Sequence, residues 1–504
     1  MNKALRGQIG MNALADQTVR LSVPFDRFLW LESRALEALA EKLLGEIANL
    51  QPTRQRAPKQ DAAAKGAFFV RVLLVNLLLL HKFPRKTLLA IPKAANAYAH
   101  ANRYDHPLLS YKTAMAAYDA LLALDYIDLV KQGHWDKEKR VGEVTRIAAS
   151  PKLKAEFDNR FTQRTIFFSR HPNEETIFQK DEDKEFVEYK DTPYSRNARE
   201  NLKTINARLN QHWYDLELSN EQFEEFYRAW EAKRKRKAQK EGQRKKRPHD
   251  DIIPAVINFS DRSLYRVFNN GGKGGSKKNF KEGGRFYGGW WEQIPSDYRR
   301  YITIDQKHTA ELDYSNLHPH MLYALEGKTL EGDAYAVQGI PRKYAKKAFN
   351  QLLNGKTRTK APKGFKVSGF SMTWKEVQQA VRERHQPIQK YFSTGYGLNL
   401  QWQDAEIIEQ VMLHFAARGY PCLPVHDSII IHHVLKEELA EVMVQAYQNV
   451  TGLEIPVETQ NNYDFFVMRN PGQGLNSESI EEILKQDICS QYEARWMDWI
   501  EHRK

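Results

Sequence analysis

The sequence predicts an α+β protein with a mostly helical N-terminal part. Apolar residues recur at helical spacing over 30–50, 67–80, 111–124, 197–209 and 220–232. Short apolar runs of strand character follow at 302–304, 309–313 and 423–431, and the last two each hold an aspartate. The 504 residues carry a formal net charge of +13 and a pI of about 9.3. That length suffices for roughly two to four domains, and the charge points to a polyanionic partner unless it serves solubility alone.

Taken in order, residues 1 to about 60 read as helical, with 51–63 a polar, basic linker broken by Pro52 and Pro58. The longest apolar run, Val70–Leu80, is interrupted by Arg71 and Asn76 and is too short to span a bilayer. The N-terminus has no signal-like apolar stretch. Cys422 and Cys489 form no disulfide or zinc pattern. A cytoplasmic protein with no membrane partner is therefore expected. Between 64 and 155 the order is a helix over 67–80, a short helix over 87–99, a helix over 111–124 capped by Ser110, then strand-like runs at 127–130 and 144–147. Three helices and a hairpin resemble a winged helix, which would turn Lys112, Lys131, Lys137, Lys139, Arg140 and Arg146 toward phosphate. A generic helical domain with a surface hairpin is the alternative.

A basic run follows at Lys233, Arg234, Lys235, Arg236, Lys237, Lys240, Arg244, Lys245, Lys246 and Arg247, stopped by Pro248. With almost no acid in it, contact with a nucleic-acid backbone is the better reading, ahead of a solvated face or a nuclear-localisation signal. The glycine- and lysine-rich stretch 269–289 runs into Arg285, Phe286, Tyr287, Trp290 and Trp291, a mixture of cations and aromatics suited to phosphates and bases, if it is not a plain linker.

Residues 310–324 read AELDYSNLHPHMLYA and residues 423–431 read LPVHDSIII. Asp313 and Asp427 thus sit in apolar runs, where an ionised carboxylate is costly without a partner. A shared pair of divalent cations would supply one, as in in-line phosphoryl transfer. Between them, GDAY at 332–335 precedes PRKYAKKAFNQLLNG at 341–355, a helix opened by Pro341 and closed by Gly355. Its residues Arg342, Lys346, Phe349/Asn350 and Leu353 share a face, and the two cations one turn apart suit a triphosphate.

In order and spacing these three segments resemble motifs A, B and C of family A DNA polymerases, whose palm the single-subunit phage RNA polymerases share. Gln401 ahead of Ile407–Ile408, and Gly284–Arg285 with Gln293–Ile294–Pro295, extend the resemblance over about residues 280–465. It implies a right-hand fold of palm, fingers and thumb. The domains expected are an N-terminal helical segment (1–60), a winged-helix-like nucleic-acid-binding domain (64–160) and a thumb-like helical and basic region (161–300). Palm and fingers (301–470) follow, with motif A at 311–324, motif B at 341–355 and motif C at 423–431, then a C-terminal helical segment (471–504). The implied activity is template-directed nucleotidyl transfer, DNA polymerisation first, on a DNA template–primer with nucleoside triphosphates.

By the resemblance, Asp313, Asp427 and the backbone carbonyl of Tyr314 hold two Mg²⁺ ions, which Mn²⁺ can replace. Arg342 and Lys346 grip the phosphates and Lys346 protonates the leaving pyrophosphate. Tyr314, His318, Asn350 and Asn354 line the nucleotide site. Arg285, Gln401 and His426 meet the template–primer, with Lys233, Arg234, Arg236, Lys245 and Arg247 on its backbone.

Departures from the family pattern touch sugar choice. His318 stands where the family's glutamate blocks a 2′-hydroxyl, Asn354 replaces the aromatic ahead of Gly355, Asn350 replaces an aromatic within the helix, and Ser428 follows Asp427. A primase or RNA polymerase, and a non-catalytic DNA-binding replication protein, are the other readings. No exonuclease motif precedes the polymerase-like part, so no proofreading is expected, in replication or repair of a plasmid, phage or other mobile element.

Overall fold

The computed structural model describes residues 22–50, 60–83, 87–98, 103–136, 138, 141–241, 257–272, 280–355, 360–362, 365, 372–462 and 490–503. Helix and strand are mixed throughout, an α+β chain, and the buried apolar side chains fall into two cores, one drawn from 29–168 and the other from 167–499.

The first core gathers β1 (Ser22–Pro24), β2 (Leu29–Trp30), α1 (Arg34–Leu50), α2 (Gln60–Lys82), β3 (Leu88–Ile91), α3 (Tyr111–Ala123), β4 (Ile127–Lys131), β5 (His134–Asp136), β6 (Val141–Glu143), β7 (Thr145–Ala149) and α4 (Pro151–Arg160). Helix α2 is its axis. It is long and apolar enough to cross a membrane, yet 67% of its most apolar window is buried inside the protein. Asn76, 1% exposed, is satisfied there by Val72 and by the backbone of Asp26. Helix α1 packs on α2, so the N-terminal segment and the region from 64 onward share one core rather than two. The helix begins at Gln60, inside the stretch read as linker.

The run at 87–99 was expected as a helix; it forms β3 and a single 3₁₀ turn at Ala95–Tyr98. Its Leu-Leu-Ala-Ile is a short apolar run whose conformation is decided by pairing. β3 is antiparallel to β7, which is antiparallel to β4, and β1 adds in parallel at the β3 edge. Between β4 and β7 projects the hairpin β5–β6. Arg146 is turned inward, 5% exposed, and bonds the Val144 carbonyl, while Lys131 pairs with Glu143 at 2.7 Å; both were expected to face phosphate. Lys137, Lys139 and Arg140 lie outside the described residues.

β8 (Ser169–Arg170) pairs with β2, and the second core is built on β9 (Ile177–Gln179), α5 (Pro193–Asn210), β10 (Tyr214–Leu216), α6 (Asn220–Glu241), β11 (Tyr265–Phe268), β12 (Gly283–Tyr287), β13 (Ile302–Ile304), β14 (Lys307–Tyr314), α7 (Leu317–Leu325), α8 (Arg342–Asn354), α9 (Trp374–Arg384), α10 (Gly397–Ala417), β15 (Leu423–Val425), β16 (Ser428–His432), α11 (Lys436–Thr451), β17 (Val457–Asn462) and α12 (Ser490–His502). Local chemistry sets the ends. Thr192 and Ser195 form a reciprocal cap with Pro193 at the start of α5, Thr373 and Glu376 do the same for α9, and Gly452 closes α11 at φ +77.

Strand β14 is the centre of an antiparallel sheet. β16 pairs with it on one side and β17 on the other, β15 extends the β16 side, and β13 joins its start to β10. Helix α10 packs against α5, α7, α8, α11 and β12. It is pinned by Arg266 of β11, 0% exposed, which donates to Glu409 at 2.9 Å, Glu406 at 2.7 Å and the Gly284 carbonyl at 2.7 Å. The regions expected as thumb, palm and C-terminal segment therefore meet in one core, with Trp499 of α12 packed into it.

Candidate active site

Asp313 lies near the end of β14, opposite Ser428 of β16 and Glu458 of β17. Asp427 occupies the two-residue turn that joins β15 to β16, directly before Ser428. The other turn residue, His426, has φ +61, a left-handed conformation that glycine adopts without strain and histidine does not. The tight turn brings the second carboxylate beside the first. Burial, then the charge of Asp427, then that of Glu311 push the Asp313 carboxyl up to about 7. One of its oxygens, Oδ1, is buried without a hydrogen-bond partner among the described residues, the Gln460 amide reaches the other at 3.4 Å, and the Tyr314 backbone N–H partly offsets the rise.

Glu311, two residues before Asp313 on the same face and 2% exposed, is neutralised by Arg299 at 2.8 Å and accepts from the Ser428 hydroxyl at 2.9 Å. The ring of Tyr314 points into the core, its hydroxyl donating to the Met443 carbonyl, so only its backbone is available to a ligand at the strand end. Among the described residues, no group of three or more His, Cys, Asp or Glu side chains gathers as a metal cage.

Helix α8 supplies the cations. Pro341 and Gly355 flank it as expected. Its predicted single face divides: Phe349 and Leu353 are buried, whereas Arg342, Lys346, Asn350 and Asn354 are exposed. Lys346 is near enough to Asp313 for its positive charge to act against the rise in that carboxyl's pKa. Arg342 forks onto Asp333 at 2.7 and 3.1 Å. The Asn354 side chain bonds the Asn350 carbonyl and abuts Gly397, where a Cβ would sit 2.0 Å from its Oδ1, so α8 and α10 can meet there only at a glycine.

Sequence reasoning missed Asp404. It lies one turn beyond Gln401 on α10, is 0% exposed, and receives Arg285 through Nε at 3.1 Å and through Nη2. His318, in the first turn of α7, sits 2.9 Å from the same carboxylate. Burial lowers the Arg285 pKa, but Asp404 beside it more than offsets this, and Asp427 adds to the rise. Arg285 comes into place because Gly284, at φ +81, leaves the space a Cβ would take 2.5 Å from the Phe268 ring. The aromatics after it belong to the core: Phe286, Trp290 and Trp291 are at most 4% exposed, contrary to the expected contact with bases, and Tyr287 meets the His426 ring edge-on at 6.3 Å. Burial and Arg285 lower the His426 pKa. Lys233, Arg234 and Arg236 lie on α6; Lys245 and Arg247 fall outside the described residues.

Asp313, Asp427, Lys346, Arg285, His318 and Asp404 thus come together from β14, the β15–β16 turn, α8, β12, α7 and α10. Adjacent carboxylates with an exposed cationic helix in electrostatic reach have the chemistry to take up a divalent cation and a polyphosphate. No known family model matches the chain, and no curated protein does.

Proposed function

We propose that the chain is a template-directed nucleotidyltransferase, a DNA-directed DNA polymerase without proofreading, acting in DNA replication or repair. The observation that carries this reading is the buried, unpartnered Asp313 Oδ1 next to Asp427 and within electrostatic reach of Lys346. The donor set fits Mg²⁺, a hard cation that takes oxygen ligands: Asp313, Asp427 and the Tyr314 carbonyl would hold it. When bound, a Mg²⁺ pair supplies a lowered pKa at the attacking 3′-hydroxyl and charge at the leaving pyrophosphate.

The chain's own groups do the rest. Arg342 and Lys346 grip the triphosphate, and the Lys346 ammonium gives a proton to the departing phosphate. Asp404 holds Arg285 and His318 still beside the nucleotide. The unit of α2, β3, α3, β4 and β7 with its projecting β5–β6 hairpin has the connectivity of a winged helix, which supports a role for it in holding duplex DNA.

The test is primer extension by the full chain with Mg²⁺ or Mn²⁺, on primed and unprimed templates, with deoxyribo- or ribonucleotides and Asp427→Ala as control. Deoxynucleotide addition on a primer, lost in the variant, is the expected result. Ribonucleotide addition without a primer would make it a primase or RNA polymerase. Binding to DNA with no addition of either kind would make it a non-catalytic replication protein.

A further inference from the structure

The segment Gly332–Tyr335 is joined to the basic helix in a way the nucleotidyl-transfer reading does not by itself require. The Asp333 carboxylate takes the Arg342 guanidinium in a two-point fork, Nε at 2.7 Å and Nη2 at 3.1 Å. Its Oδ1 also accepts the Tyr335 backbone N–H at 3.1 Å, which fixes the carboxylate in a local turn. The Tyr335 ring, 6% exposed, lies under two of the four cations of α8, 5.2 Å from Arg342 and 5.5 Å from Lys346. Its far edge meets Phe349 at 5.8 Å, so the ring cannot swing away. Charge from Asp427 reaches the Tyr335 hydroxyl, and charge from Glu458 reaches Arg342. The cluster therefore borders the carboxylate face.

A planar fork onto a guanidinium is also how a phosphate group binds arginine. We propose that Asp333 and Tyr335 are positioning residues of the polyphosphate clamp. Tyr335 aligns Arg342 and Lys346 as a pair, and Asp333 holds the guanidinium as a stand-in anion until a phosphate displaces it. The inference rests on the nucleotidyl-transfer reading for the identity of the phosphate, but not for the exchange itself. The displacement is inexpensive because the Arg342 side chain is 59% exposed and the Asp333 side chain 32%. Exposed ion pairs contribute little, so Asp333 weakens phosphate binding by roughly twofold to fivefold and no more.

The experiment uses the full chain and inorganic tripolyphosphate as probe, titrated by calorimetry without template, together with KM and kcat for nucleotide in primer extension. Asp333→Asn is expected to bind tripolyphosphate roughly twofold to fivefold tighter and to lower KM by the same factor with kcat unchanged. Asp333→Glu is expected to return both toward the parent values. Tyr335→Phe is expected to bind as the parent does and Tyr335→Leu more weakly. Unchanged or weaker binding by Asp333→Asn overturns the stand-in role, and equal binding by the Phe and Leu variants overturns the role of the ring. Should tripolyphosphate bind as expected while the parent chain incorporates no nucleotide, the clamp stands and the polymerase reading falls. Should the parent incorporate nucleotide while Asp333→Asn alters neither KM nor tripolyphosphate binding, the reverse holds.

Discussion

Two aspartates of the same core, Asp404 and Asp313, have met opposite fates. Asp404 is closed from solvent and saturated, with Arg285 and His318 on its oxygens. Asp313 stands beside a second carboxylate with one buried oxygen left over. Burial raises the pKa of Asp313. The first is a finished interaction, whose worth lies in the geometry it imposes on its partners. The second is an unfinished one: a buried carboxylate oxygen without a partner carries a desolvation cost that protonation or a bound cation relieves.

The contrast can be broken at several points. The largest effect is expected from Asp313→Ala or Asp427→Ala. Either should lower nucleotide addition about a thousandfold or more, measured as single-turnover extension, with DNA binding retained. Survival of extension in both variants would end the metal-ligand assignment.

Asp404→Asn should act on the fold instead. It leaves the mostly buried Arg285 facing a neutral amide, and urea unfolding should report a loss of about 3 kcal/mol. A variant as stable as the parent would mean that the saturated aspartate is no anchor.

A third test reads the unfinished aspartate through pH. In chelator, the Asp313 carboxyl titrates near 7 in the folded chain against 3.8 for the ordinary group. A raised carboxyl pKa means that the folded state binds the proton more tightly. Stability is therefore full below about pH 4 and is lost as pH rises through about 7. Asp313→Asn should be more stable than the parent at pH 8, by on the order of 2 kcal/mol, and equal to it near pH 4. Adding Mg²⁺ at pH 8 should raise the melting temperature of the parent and not of this variant. A parent advantage at pH 8 in chelator would reverse the sign and refute the unfinished state.

The smallest effect concerns the turn that brings Asp427 in. His426→Gly relieves the φ +61 backbone and should be neutral or stabilising by about 0.5 kcal/mol in thermal unfolding. A clear loss of stability would show that the imidazole, not the backbone, holds the turn.

Much of the site was legible in the sequence because punctuation and periodicity marked it. Pro341 and Gly355 bracketed α8, and the apolar runs around Asp313 and Asp427 were β14 and the β15–β16 hairpin. What escaped was whatever a partner decides. Asp404 reads as an ordinary helical aspartate until β12 lays Arg285 against it across 119 residues. Asp333 gives no sign of its fork, since Arg342 reaches back to it from the next helix. The aromatics at 286–291 look the same in a core as on a binding face, and only the packing of the β11–β12 hairpin against α10 tells which. Leu88–Ile91 was misread because four apolar residues carry too little period to separate strand from helix.

The docking of α12 on the first strands of the second core has a consequence for how the protein is made. Asp215 of β10, 1% exposed, receives its guanidinium from Arg495 at 2.7 and 2.8 Å, and Thr303 of β13 meets the Tyr492 hydroxyl at 3.0 Å. The donor lies 280 residues after the acceptor. While the chain is emerging from the ribosome, the sheet that carries Asp313 has an edge whose buried charge has no counterpart yet. The ion pair that ties α12 to β10 can form only after Arg495 has been added and has left the exit tunnel. Until then a nascent chain holds the segments of Asp313 and Asp427 in full with this pair still unmade.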